Sequence, residues 1–113
     1  MKNINIVIST LMLLTFSYNL LAENSDIHVA SIKIHGNETF STDTLLSLME
    51  IRKPFLFWKT TYSDFKLHED LNAITVFYRS QGFINPNITH ELRFDSSDNK
   101  VHIEITIEEN KRI

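Results

Sequence analysis

Cysteine is absent from this chain of 113 residues. Disulfide bonds are therefore excluded, together with a lipid anchor attached to cysteine and a cysteine nucleophile. A small domain often depends on disulfides, because it can bury only a modest apolar core. This chain must rely on the packing of that core alone.

Glycine and proline are scarce as well, with two of each in the whole chain. Two glycines cannot build a Gly-rich phosphate-binding loop. Gly36 with Asn37 predicts a turn, and Pro54 blocks helix continuation. Gly82 predicts a left-handed residue that ends a helix. Pro86 lacks a backbone N–H group, so its expected place is an edge strand, where it limits further pairing.

Positive charge is not in excess, since 11 Lys and Arg residues stand against 14 Asp and Glu residues, for a net charge of −3. A nucleic-acid partner would require clustered Lys and Arg. The acidic balance therefore argues against nucleic-acid binding.

The five histidines do not form a recognisable metal motif. His90 lacks the second histidine of a zinc-binding helix. His102 and Glu104 share one face of a predicted strand, but no further residue completes a set of three or four ligands. We expect no catalytic residue, no metal, no cofactor and no small-molecule substrate.

The first residues have the order of a secretory signal peptide: a basic start at Lys2, a mostly apolar stretch from 4 to 21, and polar residues after Ala22. We predict a signal peptide over residues 1–22 and a polar leader over 23–28. A membrane span needs about 20 predominantly apolar residues, whereas polar side chains interrupt this stretch. A retained membrane anchor is the alternative interpretation.

Two patterns follow in the next part of the chain. Alternating apolar and polar residues over 29–35 are typical of a half-buried strand. A short helix is predicted over 42–50, with Ser41 or Thr42 as its N-cap.

A longer helix is predicted to begin after Ser63, a suitable N-cap, and to end before Gly82. Its apolar positions recur at helical spacing and form one continuous stripe: Leu67, Leu71, Ile74 and Tyr78. Polar residues, Asp70 among them, are predicted to lie on the solvent side.

Two stretches of alternating residues, 88–94 and 101–107, predict a β-hairpin with one apolar and one solvated face. Two registers keep both apolar rows on the same face. Leu92 lies opposite Val101 across a four-residue loop in one register, and opposite Ile103 across a six-residue loop in the other. Each register opposes one pair of like charges, so the charges do not select between them.

An irregular segment between the two helices, 51–62, is rich in aromatic residues: Phe55, Phe57, Trp58 and Tyr62. In one interpretation these rings fold back and cover one end of the core. In the other, Phe55, Phe57 and Trp58 remain exposed as a docking loop for another domain or protein.

The order of these elements predicts an α+β domain with β-α-α-β-β topology. The strands and the amphipathic helices each need a partner for their apolar faces. A three-stranded mixed sheet with two helices packed on one face satisfies all of them. The last strand is expected to be central in that sheet.

Three segments resemble the POTRA domain, the periplasmic module of the BamA-like outer-membrane protein assembly factors. They are IKIHGNETF (Ile32–Phe40), DLNAITVFYRSQGFINPNI (Asp70–Ile88) and VHIEITIEE (Val101–Glu109). The family usually has glycine after the last strand, where this chain has Asn110, which also tolerates left-handed backbone angles. The resemblance covers a POTRA-like domain at 29–110, followed by the start of a linker at 111–113.

The resemblance implies a non-catalytic binding module of the periplasm. In strand addition, the exposed backbone of an edge strand pairs with an extended peptide. Partner binding is therefore expected along one predicted edge strand: Ile88, Thr89, His90, Glu91, Leu92, Arg93 and Phe94. The expected partners are unfolded outer-membrane proteins or assembly-complex subunits, and neighbouring POTRA modules if the gene is longer.

The family's proteins normally carry several such modules and a membrane β-barrel, whereas this sequence stops at Ile113. On those grounds we expect a truncated or split assembly factor, associated with the outer membrane if joined to a barrel. The alternative is a POTRA-like domain of a division-type inner-membrane protein with a retained N-terminal helix.

Overall fold

The computed structural model describes residues 26–55 and 59–113. The predicted signal peptide, the first part of the polar leader, and Phe57 and Trp58 lie outside the described residues. Five elements follow one another: β1 His28–His35, α1 Thr42–Ser47, α2 Asp64–Ser80, β2 Asn87–Asp95 and β3 Lys100–Glu108. None of the helices described is long and apolar enough to cross a membrane.

The three strands form one mixed sheet in the order β1-β3-β2. β1 runs parallel to β3, and β2 runs antiparallel to it. A hairpin joins β2 to β3 directly, whereas the parallel pair is joined through both helices and β2, since parallel strands need a long crossover. The predicted fold class and the central position of the last strand are confirmed.

The core lies between the helices and the sheet. β3 contributes four alternate residues that are almost fully buried: Val101, Ile103, Ile105 and Ile107. From α2, Leu67, Ile74 and Tyr78 are fully buried. Leu71 is half-buried against the same cluster. The predicted helical stripe and the apolar face of the last strand are therefore confirmed.

The hairpin register places Leu92 opposite Ile103, which is the second of the two predicted registers. Pairing continues to Asp95 opposite Lys100, so the connecting loop has four residues rather than six. The Asp95 carboxylate accepts hydrogen bonds from the backbone N–H (3.2 Å) and the hydroxyl (2.6 Å) of Ser97. These bonds stabilise the turn and hold the pKa of the Asp95 carboxyl below its usual value.

α1 is shorter than predicted, since it ends at Ser47. The Asp70 side chain on α2 accounts for the early end. Its carboxylate oxygens accept hydrogen bonds from the backbone N–H groups of Glu50 (2.8 Å) and Ile51 (3.0 Å). Asp70 is only 2% exposed, so its prediction as a solvent-facing residue is wrong. Burial of a carboxylate is tolerated here because two N–H groups replace its water.

Asp70→Ala would leave those two N–H groups without an acceptor. We expect the free energy of unfolding to fall by about 1.5–3 kcal/mol, a typical value for hydrogen bonds to a charged group. Asp70→Asn keeps one acceptor oxygen and should lose less. Urea unfolding followed by circular dichroism measures both variants, and an Asp70→Ala protein as stable as the wild type would contradict the assigned role.

Both glycines take left-handed backbone angles, with φ of 82° at Gly36 and 95° at Gly82. Gly82 closes α2 as predicted, since the Phe83 N–H donates to the Tyr78 carbonyl at 3.1 Å. Gly36 carries a second constraint, because a Cβ atom there would lie 2.0 Å from the Ile107 carbonyl oxygen. A Cβ atom at Gly82 would meet nothing closer than 3.4 Å.

Gly36→Ala should therefore be more damaging than Gly82→Ala. Each substitution places an alanine in left-handed backbone angles, which should lower the free energy of unfolding by about 1–2 kcal/mol. Only Gly36→Ala also places a methyl group against the backbone of β3, which should lower the free energy of unfolding by about 1–3 kcal/mol more. Thermal unfolding compares the two variants, and equal melting temperatures would show that contact with β3 does not constrain residue 36.

Candidate functional site

The sheet has two edges, β1 and β2, because β3 lies between them. The edge of β1 is partly covered near its N-terminus. There the Val29 N–H donates to the Thr60 carbonyl (2.8 Å), and the Tyr62 N–H donates to the Ile27 carbonyl (2.7 Å). Residues 60–62 thus lie beside β1 as a short added segment.

The outer edge of β2 is open. Across residues 26–55 and 59–113, no backbone hydrogen bond reaches this strand from outside the β2–β3 ladder. A strand that pairs on one side only leaves alternate N–H and C=O groups for another chain. All seven residues of the predicted partner-binding strand lie on this edge: Ile88, Thr89, His90, Glu91, Leu92, Arg93 and Phe94.

The two faces of β2 differ in character. Ile88 and Leu92 lie half-buried against the core, and His90 between them is half-buried as well. The side chains of the opposite face are exposed: Thr89, Glu91 and Arg93. An added strand would therefore meet apolar neighbours on the helix side and polar neighbours on the other.

His90 faces a second histidine, from α2. The ring centroids of His90 and His68 lie 5.8 Å apart, and the His68 Nδ1 atom lies 2.9 Å from the Asp64 carbonyl oxygen. Within the part of the chain that the structure describes, no group of three or more His, Cys, Asp or Glu side chains is placed to hold a metal ion.

The end of β2 near the hairpin loop is apolar and partly exposed. Phe94 is 53% exposed, and its ring meets that of Tyr62 edge to face, with centroids 6.2 Å apart. The Tyr62 hydroxyl donates to the Asp64 carboxylate. Burial, and then this hydrogen bond, raise the pKa of the Tyr62 phenol. Tyr62 therefore places its backbone beside β1 and its ring against β2.

One pair of like charges lies on the solvated face of the sheet, where Glu91 is opposite Glu104. Two residues of β1 lie next to Glu104 on that face. Lys33 is opposite Glu104 on the other side, and the His35 Nε2 atom lies 4.0 Å from a Glu104 carboxylate oxygen. Because three strands contribute to this row, the like-charge pair does not prevent the register.

Each of the two interpretations of the aromatic segment 51–62 holds for one of its described rings. Tyr62 packs half-buried against the core, whereas Phe55 is 69% exposed. Phe57 and Trp58 are not among the described residues. One ring therefore covers the core, and one is exposed.

The sequence did not predict the contacts at the C-terminal end of β3. The Glu109 carboxylate accepts hydrogen bonds from the backbone N–H (3.1 and 3.2 Å) and the hydroxyl (3.0 Å) of Thr39. Burial, and after it the Glu109 carboxylate, raise the pKa of the Tyr78 phenol. Thr39 and Glu109 are 70 positions apart, so no local spacing signals their contact.

Residues 111–113 pair with the segment that follows α2. The Ile84 N–H donates to the Lys111 carbonyl (3.1 Å), and the Ile113 N–H donates to the Gly82 carbonyl (2.8 Å). Asn110 takes the expected left-handed angle, with φ of 57°. The predicted start of a linker thus lies against the domain.

A family model described as "POTRA: Surface antigen variable number repeat" matches residues 27–110. The chain belongs to the POTRA family. It is also 34% identical, over 98 residues, to the outer membrane protein assembly factor BamA of Buchnera aphidicola subsp. Acyrthosiphon pisum. That match covers 82% of this chain but only 16% of the relative, so this POTRA chain spans a small part of the relative's length.

Solved structures agree on the POTRA fold. POTRA3-5 of Haemophilus influenzae BamA matches with a TM-score of 0.64 and 25% identity, over 78% of this chain and 36% of that one. POTRA4 of the same protein matches with a TM-score of 0.61 and 18% identity, over 78% and 97%. CdiB from Escherichia coli matches with a TM-score of 0.50 and 18% identity, over 73% and 14%.

The amides of β2 in this POTRA domain should exchange with solvent at two alternating rates. N–H groups directed at β3 are protected by the ladder, whereas those directed outward are free. Amide hydrogen exchange measured by NMR over Asn87–Asp95 should therefore show a period of two. Uniform protection along the strand would mean that another segment covers this edge.

Proposed function

We propose that this POTRA domain is a non-catalytic periplasmic binding module for outer-membrane protein assembly. It captures unfolded outer-membrane proteins, or subunits of an assembly complex, by pairing with them along β2. The relative at 34% identity is an outer membrane protein assembly factor, and its name supports a role in that assembly. The open edge of β2 supports the mode of binding.

The difference between the two sheet edges carries this proposal. β2 has nine residues, enough for several backbone pairs with an extended peptide, and its outer side is free of backbone bonds from the described residues. Residues 60–62 cover the N-terminal part of the β1 edge. Its pairing with β3 also shifts between Val29 and Ser31, and such an irregularity bends a strand. β2 is therefore the better template.

Backbone pairing allows one surface to serve many clients. N–H and C=O groups are common to all peptides, so affinity depends little on the client's sequence. The side chains of β2 favour client strands in which apolar and polar residues alternate. Apolar client residues would lie beside Leu92, and polar client residues beside Glu91 and Arg93. Strands of outer-membrane barrels alternate in this way.

Pro86 sets one end of the binding edge. It lies directly before β2, is buried and has no N–H group to donate. A client strand therefore pairs with residues 87–95 and does not continue towards the end of α2.

Proline substitutions within β2 test strand addition. Glu91→Pro and His90→Pro each remove one N–H group, and the two groups point in opposite directions because neighbours alternate along a strand. The variant that loses an outward N–H should bind an extended outer-membrane-protein peptide at least about fivefold more weakly. The other variant breaks the β2–β3 ladder and should lose stability instead. Hydrogen exchange identifies which is which.

A triple alanine variant at Thr89, Glu91 and Arg93 is the matched control, since it removes outward side chains and keeps every N–H group. Its binding should weaken only modestly. Shifts of amide NMR signals on addition of the peptide locate the contact. If the shifts cluster around Phe55 and neither proline matters, the aromatic loop is the docking surface and strand addition is rejected.

A further inference from the structure

The solvated face of β2 carries two opposite charges that form no ion pair within the described part of the chain. Glu91 and Arg93 are both exposed, and they point to the same side of the sheet because they are two residues apart on a strand. The ion pair found among residues 26–55 and 59–113 joins His35 to Glu104 instead. Both charges of β2 are therefore available to groups outside the domain.

The outer side of Glu91 lacks a cation. Glu91 lies opposite Glu104 of β3, and Glu104 lies opposite Lys33 of β1 on its other side. No strand of the described chain continues this row beyond Glu91, because β2 is an edge of the sheet. A basic side chain on an added strand would lie opposite Glu91, and opposite charges across a strand pair are favourable.

The charges around Leu92 are self-complementary, since Glu91 precedes it and Arg93 follows it. Consider a second copy of β2 that pairs antiparallel with the first, with a two-fold axis through Leu92. Each Glu91 then lies opposite the partner's Arg93, and residues 89–95 of the two copies pair in opposite directions. A two-fold interface requires this kind of surface, because both copies contribute the same residues. The arrangement favours a second copy of this chain over an unrelated strand.

Charge selects this register over its neighbours. Directly opposite residues share a face of the sheet, so the axis must pass through a residue. An axis at Glu91 would place two Glu91 side chains opposite each other, in one row with both copies of Glu104. An axis at Arg93 would oppose two guanidinium groups and would pair Glu91 with Asp95. An axis at position 90 brings no opposite charges together, so Leu92 is the best axis.

The other face of β2 fits the same register. Phe94 is 53% exposed and would lie opposite the partner's His90, which is half-buried in its own domain. Two Leu92 side chains would meet at the axis. Aromatic and apolar side chains directly opposite each other stabilise a strand pair. Pairing would therefore remove Phe94 from solvent as well as match the charges.

We propose that this chain forms a two-fold dimer, in which β2 pairs antiparallel with β2 of a second copy about Leu92. The dimer joins the two sheets across their open edges. It requires the open edge of β2 but does not depend on client binding. Because it occupies the outward N–H and C=O groups that a client strand would use, the dimer covers this edge while no client is bound.

Sedimentation equilibrium of the full chain over a range of concentrations tests the dimer. Arg93→Glu and Glu91→Arg each place like charges opposite one another in both cross-strand pairs. Each should raise the dissociation constant of the dimer at least about tenfold. An equimolar mixture of the two variants should associate again, because one supplies only basic groups at positions 91 and 93 and the other only acidic groups.

Matched controls separate the interface from the fold and from the apolar N-terminal stretch, which all variants share. The double variant Glu91→Arg with Arg93→Glu exchanges the charges and should dimerise as the wild type does. Glu69→Arg makes the same change of charge at an exposed position of α2 and should have no effect. Glu91→Arg should not destabilise the domain, since it places a cation opposite Glu104.

Hydrogen exchange locates the contact. Outward N–H groups within residues 89–95 should gain protection as the protein concentration rises and should be free on dilution. The proposal is overturned if the wild type stays monomeric up to about 1 mM, or if neither single charge reversal weakens association. It is also overturned if the mixture associates no more than its components. Peptide binding by the Arg93→Glu variant reports on client capture separately, so either proposal can fail while the other stands.

Discussion

The alternation of buried and exposed side chains along β3 is the constraint on which the rest of the structure depends. Its four inward residues are at most 3% exposed, and both other strands pair with it. A shift of one residue would exchange those apolar side chains for His102, Glu104 and Thr106. The helices must therefore cover one face of the sheet, and polar residues occupy the other.

The open edge of β2 follows from the same constraint. With β3 in the centre, a three-stranded sheet necessarily has two edges, and unpaired strand edges invite association with other chains. Residues 60–62 cover part of one edge. The other edge carries Glu91 and Arg93 and begins after Pro86, features that limit nonspecific pairing without closing the strand. In a POTRA domain of this size, the open edge is a consequence of having only three strands.

Hydrogen bonds between distant residues organise the ends of the domain. Asp70 connects α2 to the segment after α1, and Glu109 connects the end of β3 to Thr39. The first of these contacts holds the backbone that follows α1 against α2, and the second holds the end of β3 against the segment that follows β1.

The elements of this protein, their order and their buried faces could be predicted from local sequence patterns. Ser63, Gly82 and the stripe through Tyr78 act over a few residues, where capping, backbone angles and helical spacing decide the outcome. Alternation in the last two strands likewise identified the hairpin and its apolar face, whereas the central place of the last strand and the candidate binding edge came from the resemblance to POTRA domains. The hairpin register, the burial of Asp70 and the cover over β1 depend on long-range packing. The residues that make those contacts belong to separate elements; Asp70 and Glu50, for example, are 20 positions apart. The sequence around Asp70 alone does not show whether its carboxylate accepts protein hydrogen bonds or faces solvent.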